Sequence, residues 1–373
     1  MISSLSVDGD FGNILHPVGC CSLMRSRFPS NTIEIRMNGQ TAKKHWLGFD
    51  LGGTKMLATV FDENFKILGS KRKRTKGYEG LEAGFQRIES TISKALEDAE
   101  VEAEDLAAIG IGCPGPIDVE RGRMIEAPNL GWRNVDIADK LKKEYGCDVV
   151  VLNDVDAGVY GEYLFGAGQR ARCVVGMFPG TGIGGGCVYR GEIIQGRHVT
   201  CMEVGHTQVM AGGPITGNNR HGSLESVASR LAIAAAAAQQ AYRGGAPHLR
   251  KAVGTDIANI RSGALADAVA NGDDAVKQII KSAATYIGNA VGGLIHLLAP
   301  EVVVLGGGLV EAMPELYVKT VEKTVADFIM PSYKDTYRIE TAKLGDDAAV
   351  LGAAAWAKHV LTNDAEPPTL QED

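Results

Sequence analysis

Trp46-Leu47-Gly48-Phe49-Asp50-Leu51-Gly52-Gly53-Thr54-Lys55 is a short apolar strand that ends in a carboxylate and runs straight into a glycine turn. Met56 to Phe61 resumes as a second strand. Asp62-Glu63-Asn64 has turn chemistry, and Lys66 to Ser70 follows as a third strand, so the segment reads as a meander. Downstream, Leu81, Phe85, Ile88, Ile92 and Leu96 recur at helical spacing over residues 80–99. Ala107 to Gly112 is an apolar strand that runs into Cys113-Pro114-Gly115-Pro116. Ile137 to Tyr145 is helical, and Val149 to Leu152 is a buried strand ending at Asn153-Asp154. Strands alternating with helices in this way define an α/β protein.

The same grammar then restarts. Cys173 to Phe178 is a strand ending in Pro179-Gly180-Thr181-Gly182, Ile183 to Tyr189 is its continuation, and Gly191-Glu192 turns. Two sections that open alike predict a duplicated architecture rather than a short-period repeat. An Ala-rich helix is expected over Leu224 to Tyr242, and another over Asp274 to Leu298, whose Gly288, Gly292 and Gly293 suggest close helix packing. Glu301 to Leu305 is a strand leading to Gly306-Gly307-Gly308, and residues 347–360 form a last helix. Residues 1 to about 44 show no sustained period and read as a disordered extension. The polar tail from 363 reads as loose.

Bulk properties narrow the function classes. A chain of 373 residues suggests about two domains, and 45% hydrophobic with 22% charged residues is a globular balance. A net charge of −7 argues against an electrostatic nucleic-acid binder, which needs a basic face. The run Lys71-Arg72-Lys73-Arg74 is read as a solvated strand edge that discourages further pairing. Seven cysteines without framework spacing point to a reduced, cytoplasmic protein, and no apolar run is long enough for a membrane span.

Three strand ends carry glycine turns: Gly52-Gly53-Thr54, Gly180-Thr181-Gly182 and Gly306-Gly307-Gly308. Glycine leaves no Cβ in the way, so backbone amides can close on phosphate oxygens, and threonine adds a hydroxyl donor. None of the three fits a Walker A loop. The run Gly182 to Gly186 does not head a helix with a ribose-binding acid behind it, which disfavours a Rossmann dehydrogenase. Asp50, beside the first turn, is suited to face a metal–nucleotide.

The ordered set Asp50-Leu-Gly-Gly-Thr-Lys55, Gly112-Cys-Pro-Gly-Pro-Ile-Asp118, Asn129-Leu-Gly-Trp132, Asn153-Asp154, Gly161-Glu162, Gly166-Ala-Gly168, Gly180-Thr-Gly-Ile-Gly-Gly-Gly186 and Glu203-Val-Gly-His206 resembles the ROK family of repressors, reading frames and sugar kinases, close to its bacterial glucokinases. The resemblance runs from about Trp46 to His359. It implies two ribonuclease-H-like (actin-like ATPase) domains with the active site between them. They would comprise 45–155 plus the C-terminal helix 347–362, and 156–346. It implies that Asp154 is the base taking the proton from the attacking hydroxyl. Asn129, Asn153, Glu203, His206 and Glu225 would join Asp154 on the sugar. Asp50, Gly52, Gly53, Thr54, Lys55, Gly180, Thr181 and Gly182 would hold the phosphates, and Gly307 and Gly308 the adenosine. It further implies ATP and Mg2+, a hexose acceptor, and a homo-oligomer, taken as a dimer. A sugar-sensing regulator without turnover is the alternative in the same family.

The sequence departs from the family after Glu203-Val-Gly-His206. The family follows this motif with a cysteine cluster that binds structural zinc. Here Pro214-Ile-Thr-Gly-Asn-Asn-Arg-His-Gly-Ser-Leu-Glu225 lacks the thiolates, so zinc is not expected. Cys201-Met202 also stands where the family favours small residues.

Overall fold

The computed structural model of the protein describes residues 44–216 and 219–362. The expectations for the N-terminal extension and the C-terminal tail lie outside the described residues, Lys44 apart.

The meander is present. Strand β1 (His45–Leu51) pairs antiparallel with β2 (Lys55–Phe61), which pairs with β3 (Ile67–Arg74). Leu47, Phe49 and Leu51 of β1 are fully buried, and Trp46 on the opposite face is nearly so, because helices cover the sheet. Helix α1 (Leu81–Ala99) buries Phe85, Ile88, Ile92 and Leu96, the spacing seen in the sequence. Strand β4 (Leu106–Cys113) returns parallel to β1.

A three-stranded ribbon follows: β5 (Ile117–Asp118), β6 (Arg123–Ala127) and β7 (Trp132–Asp136). Trp132 stacks on Phe85 at 6.2 Å between centroids, and Gly84 provides the space the indole fills. After α2 (Ile137–Tyr145), β8 (Asp148–Asn153) pairs parallel with β4 and passes directly into α3 (Asp154–Phe165).

The second half begins with β9 (Cys173–Pro179), β10 (Ile183–Tyr189) and β11 (Glu192–Ile193). A helical layer then intervenes: α4 (Leu224–Ala228), α5 (Arg230–Arg243), α6 (Pro247–Val253), α7 (Ser262–Ala270) and α8 (Asp274–Leu298). Strand β12 (Val302–Leu305), helices α9 (Gly308–Ala312) and α10 (Pro314–Phe328), strand β13 (Arg338–Thr341) and helix α11 (Ala348–Thr362) complete the order.

The duplication is visible in strand order. The first sheet runs β3-β2-β1-β4-β8 and the second β11-β10-β9-β12-β13. Numbered by appearance within its own sheet, each has the order third, second, first, fourth, fifth. The basic run lies on β3, the edge of its sheet, with Lys71, Arg72 and Arg74 exposed, as a solvated edge should.

Helices α3 and α11 connect the halves. Gly48 of β1 and Gly110 of β4 meet the α11 backbone at Val350 and Ala353, where any Cβ would overlap a carbonyl. The two helices also cross closely, Gly352 against Ala157 and Gly161 against Ala348. On its other side α3 presses Val155 and Val159 onto Gly184 and Gly176 of the second sheet.

Two expectations need correction. The Ala-rich helix does not run unbroken from Leu224 to Tyr242. It breaks at Ser229, whose backbone is extended (φ −69, ψ 160) and whose side chain accepts from Ala232 N at 3.2 Å, capping α5. Of the three α8 glycines, Gly288 and Gly292 admit Thr324 and Phe328 of α10, but Gly293 faces open space.

Candidate functional site

The register of the first sheet brings its chemistry to one edge. Asp50 of β1 lies opposite Gly112 of β4, and Gly112 lies opposite Leu152 of β8, two residues before Asp154. These are the carboxyl ends of parallel strands, where open α/β sheets place their ligands. Gly112 leaves room for Asp154, since a Cβ there would stand 3.2 Å from the Asp154 Cα.

Asp154 opens α3. Asn153 caps it, accepting from Val155 N at 2.8 Å and Asp156 N at 3.2 Å and donating its Nδ2 to Gly115 O at 3.1 Å. The Asn153 side chain thus fixes the position of Asp154 through the backbone. Desolvation pushes the Asp154 carboxyl up to about 7, with Asp50 and Glu203 adding to the rise and the Val155 amide opposing it. Asp50 is raised to about 6, again chiefly by loss of solvent, against the pull of Lys55 and Arg72. Two carboxylates held near neutrality in one place suit proton transfer and cation binding.

The first glycine turn is pinned from β3's far end. Thr75 donates its hydroxyl to Gly52 O at 2.6 Å and its amide to Thr54 O at 2.9 Å. Asn129 packs over Gly53: a Cβ on that glycine would sit 3.3 Å from Asn129 Cβ. The Lys55 ammonium instead meets Asp346, at 2.5 Å, and Arg72 shares the same carboxylate at 2.9 Å. Both partners of the Lys55 pair are about half exposed, so Lys55 is within reach of a competing anion.

The second turn is organised by Glu225, which accepts from Ile183 N at 3.0 Å and occupies the space a Gly182 side chain would need. Burial raises Glu203, His206 lowers it, and Glu225 raises it again. His206 Nε2 lies 4.0 Å from Glu203 Oε2. Met202, immediately before, has φ +59, an unusual value for a side chain of its size. The third turn abuts the second: a Cβ on Gly307 (φ +82) would sit 2.8 Å from Pro179 O. The charges of Asp50 and Glu203 thus bear on Asp154, and those of His206 and Glu225 on Glu203.

The loop without cysteines is held by hydrogen bonds. Val209 N and Met210 N donate to Gly222 O at 2.8 and 3.0 Å, and Gly222 N donates to Pro214 O at 2.8 Å. His221 Nδ1 donates to Gly213 O at 3.1 Å. Gly222 (φ +69) is required there, because a Cβ would overlap Met210 O. Among the described residues no group of three or more His, Cys, Asp or Glu is placed to hold a metal ion.

Sequence reasoning missed Asp346 and Arg230, whose Nη2 donates to Thr181 Oγ1 of the second turn at 3.0 Å. Arg230 lies inside the helix expected to be continuous over Leu224 to Tyr242. Ser229, a capping residue before an apolar-periodic run, was the available signal. Asp346 lies nearly three hundred residues from its partner, and nothing local announces the pairing.

Two sheets of one plan, each with a glycine turn between its first two strands, define the actin-like ATPase fold. The chain belongs to the ROK family, whose profile matches residues 46–360. It is 36% identical over 317 residues to a glucokinase of Thermotoga maritima, covering 84% of this chain and 96% of that protein. Its structure is similar to that of a ROK family glucokinase from Streptomyces griseus in complex with glucose and AMPPNP, with TM-score 0.74, 30% identity and coverage of 84% and 98%. It is also similar to a ROK hexokinase from Thermus thermophilus, with TM-score 0.71, 29% identity and coverage of 86% and 99%.

Proposed function

We propose that the protein transfers the γ-phosphoryl group of ATP to a hexose hydroxyl, glucose first, with Asp154 as the general base. The observation that carries this reading is the placement of Asp154. It stands at the carboxyl end of β8, on the first turn of α3, with its carboxyl at about 7 and Asp50 and Glu203 as its charged neighbours. A base poised near neutrality accepts the hydroxyl proton as the oxygen attacks, while positioning and charge neutralisation do the rest.

Glu203, His206 and Asn129 would then contact the sugar. Asn153 would act mainly by fixing the start of α3, and Glu225 by shaping the second turn. Gly52, Gly53, Thr54, Gly180, Thr181 and Gly182 would take the phosphates, Lys55 joining them on leaving Asp346, with Gly307 and Gly308 beside the adenosine. The desolvated Asp50 carboxylate suits a hard cation, and Mg2+ there would neutralise phosphate charge. The domain division at residue 155, with 347–362 returning to the first half, belongs to the same reading, as does a dimer. So does a cytoplasmic location, consistent with the lack of any helix among the described residues long and apolar enough to cross a membrane.

Asp154→Asn tests the assignment. The substitution should lower kcat by about two to four orders of magnitude. Glucose affinity measured by calorimetry should change little. Turnover comparable with wild type would remove Asp154 as the base.

A further inference from the structure

Arg230 has no part in the chemistry assigned so far. It opens α5 immediately after the Ser229 break. Its amide donates to Gly180 O at 2.9 Å, its Nη2 donates to Thr181 Oγ1 at 3.0 Å, and its Nη1 reaches Ile260 O at 3.5 Å. Both ends of the residue therefore clasp the second glycine turn.

The guanidinium is short of negative charge. Its hydrogen-bond partners are the neutral Thr181 Oγ1 and Ile260 O, and among the described residues no carboxylate pairs with it. It is half-buried, and burial followed by the nearby Arg261 depresses its pKa. A cation partly stripped of water, beside a second cation and without a counter-ion, is costly unless an anion joins it. The hydroxyl it grips matters too. Thr181 Oγ1 accepts from Arg230, so its own proton is left to donate elsewhere. Arg261 stands next to Ser262, whose Oγ lies 3.2 Å from where a Gly308 side chain would begin. Arg230 thus grips the second glycine turn, and the residue after Arg261 adjoins the third.

We propose that Arg230 is a phosphate-binding residue of the nucleotide site: with Thr181 it takes the phosphates of a nucleoside di- or triphosphate, which supply its missing counter-charge. This rests on the kinase reading above. A planar guanidinium offers a two-pronged, charge-assisted contact that the uncharged turn lacks. The backbone bond from residue 230 to Gly180 does not depend on the side chain, so a substitution there leaves the turn one of its supports.

The test measures magnesium–ADP, adenosine and glucose binding to the full chain by calorimetry, in wild type, Arg230→Met and Arg230→Lys, with KM for ATP and for glucose alongside. Arg230→Met should weaken ADP by about tenfold or more, the loss of one charge-assisted contact, and leave adenosine and glucose affinities unchanged. KM for ATP should rise in parallel while KM for glucose holds, with Arg230→Lys in between. Equal losses for ADP and adenosine would make Arg230 only a strut of the turn and overturn the proposal. Unchanged ADP affinity would do the same while leaving the kinase reading intact, provided wild type turns over. A wild-type protein that binds no ADP and phosphorylates no hexose would overturn both.

Discussion

Asp156 stands two residues beyond Asp154 on α3, buried, with neither carboxyl oxygen hydrogen-bonded. Loss of solvent, then the charges of Asp154 and Glu203, push its pKa well above the ordinary carboxyl value. A group that holds its proton more tightly when folded costs stability as pH rises above its unfolded value, and the cost grows until the folded group ionises. Asp156→Asn removes the titration and nearly keeps the shape. The variant should match wild type in melting temperature near the unfolded carboxyl value of about 4 and exceed it increasingly toward pH 8, as scanning calorimetry across that range would show. An equal or lower melting temperature at pH 8 would mean that Asp156 has a partner when the protein is folded. Asp154 obeys the same sign but is needed ionised. The kcat/KM for hexose should therefore climb with pH and level off above about 7, the value to which burial raises this carboxyl. The place of Asp154 just after an apolar strand was legible in the sequence, and its role was implied there by the family resemblance alone. The condition of Asp156 was not legible, because burial and unpaired oxygens are properties of the packed molecule.

Among the elements, the α3–α11 crossing joins the chain's two halves, and it depends on glycine. Gly352 faces Ala157 O and Gly161 faces Ala348 O, each so close that a Cβ would overlap the carbonyl. Gly352→Val should lower stability by about 1–3 kcal/mol or more through overpacking, read as a fall in the urea midpoint, with the catalytic strand ends disturbed as well. A midpoint within error of wild type would mean that the helices separate freely. The strands and the long helices were readable because apolar runs closed by turn residues and an apolar period of 3.6 are local signals. The break at Ser229 was passed over because helix-forming residues flank it on both sides, although serine before an apolar-periodic run is a capping signal. The extended Ser229 backbone and its capping bond to Ala232 N mark the end of one helix and the start of the next. That break is what turns Arg230 onto the second glycine turn.

At the scale of the whole molecule, the duplicated plan was visible in the sequence as two openings of strand, glycine turn, strand. The ties between the copies were not, because they join residues distant in the chain. Lys55 and Arg72 meet Asp346, and Glu162, buried within α3, accepts from the amides of Lys343 and Leu344 at 2.8 Å each, holding the segment that carries Asp346. The support of the loop around Gly222 is a local case: backbone bonds from Val209 and Met210 and to Pro214 supply what a sequence without the family's cysteines leaves unspecified. Elemental analysis of the purified protein should accordingly find no stoichiometric zinc, and one zinc per chain would show that the loop has ligands beyond those described. The central claim is phosphoryl transfer to a hexose. Its most direct test is ADP release from magnesium–ATP by the full chain across a panel of hexoses and N-acetylhexosamines, with Asp154→Asn as control. The account predicts sugar-dependent ADP release, strongest with glucose and lost in Asp154→Asn. Silence across the panel, with sugar still bound, would contradict it and leave a sugar-sensing protein that has kept the fold without the reaction.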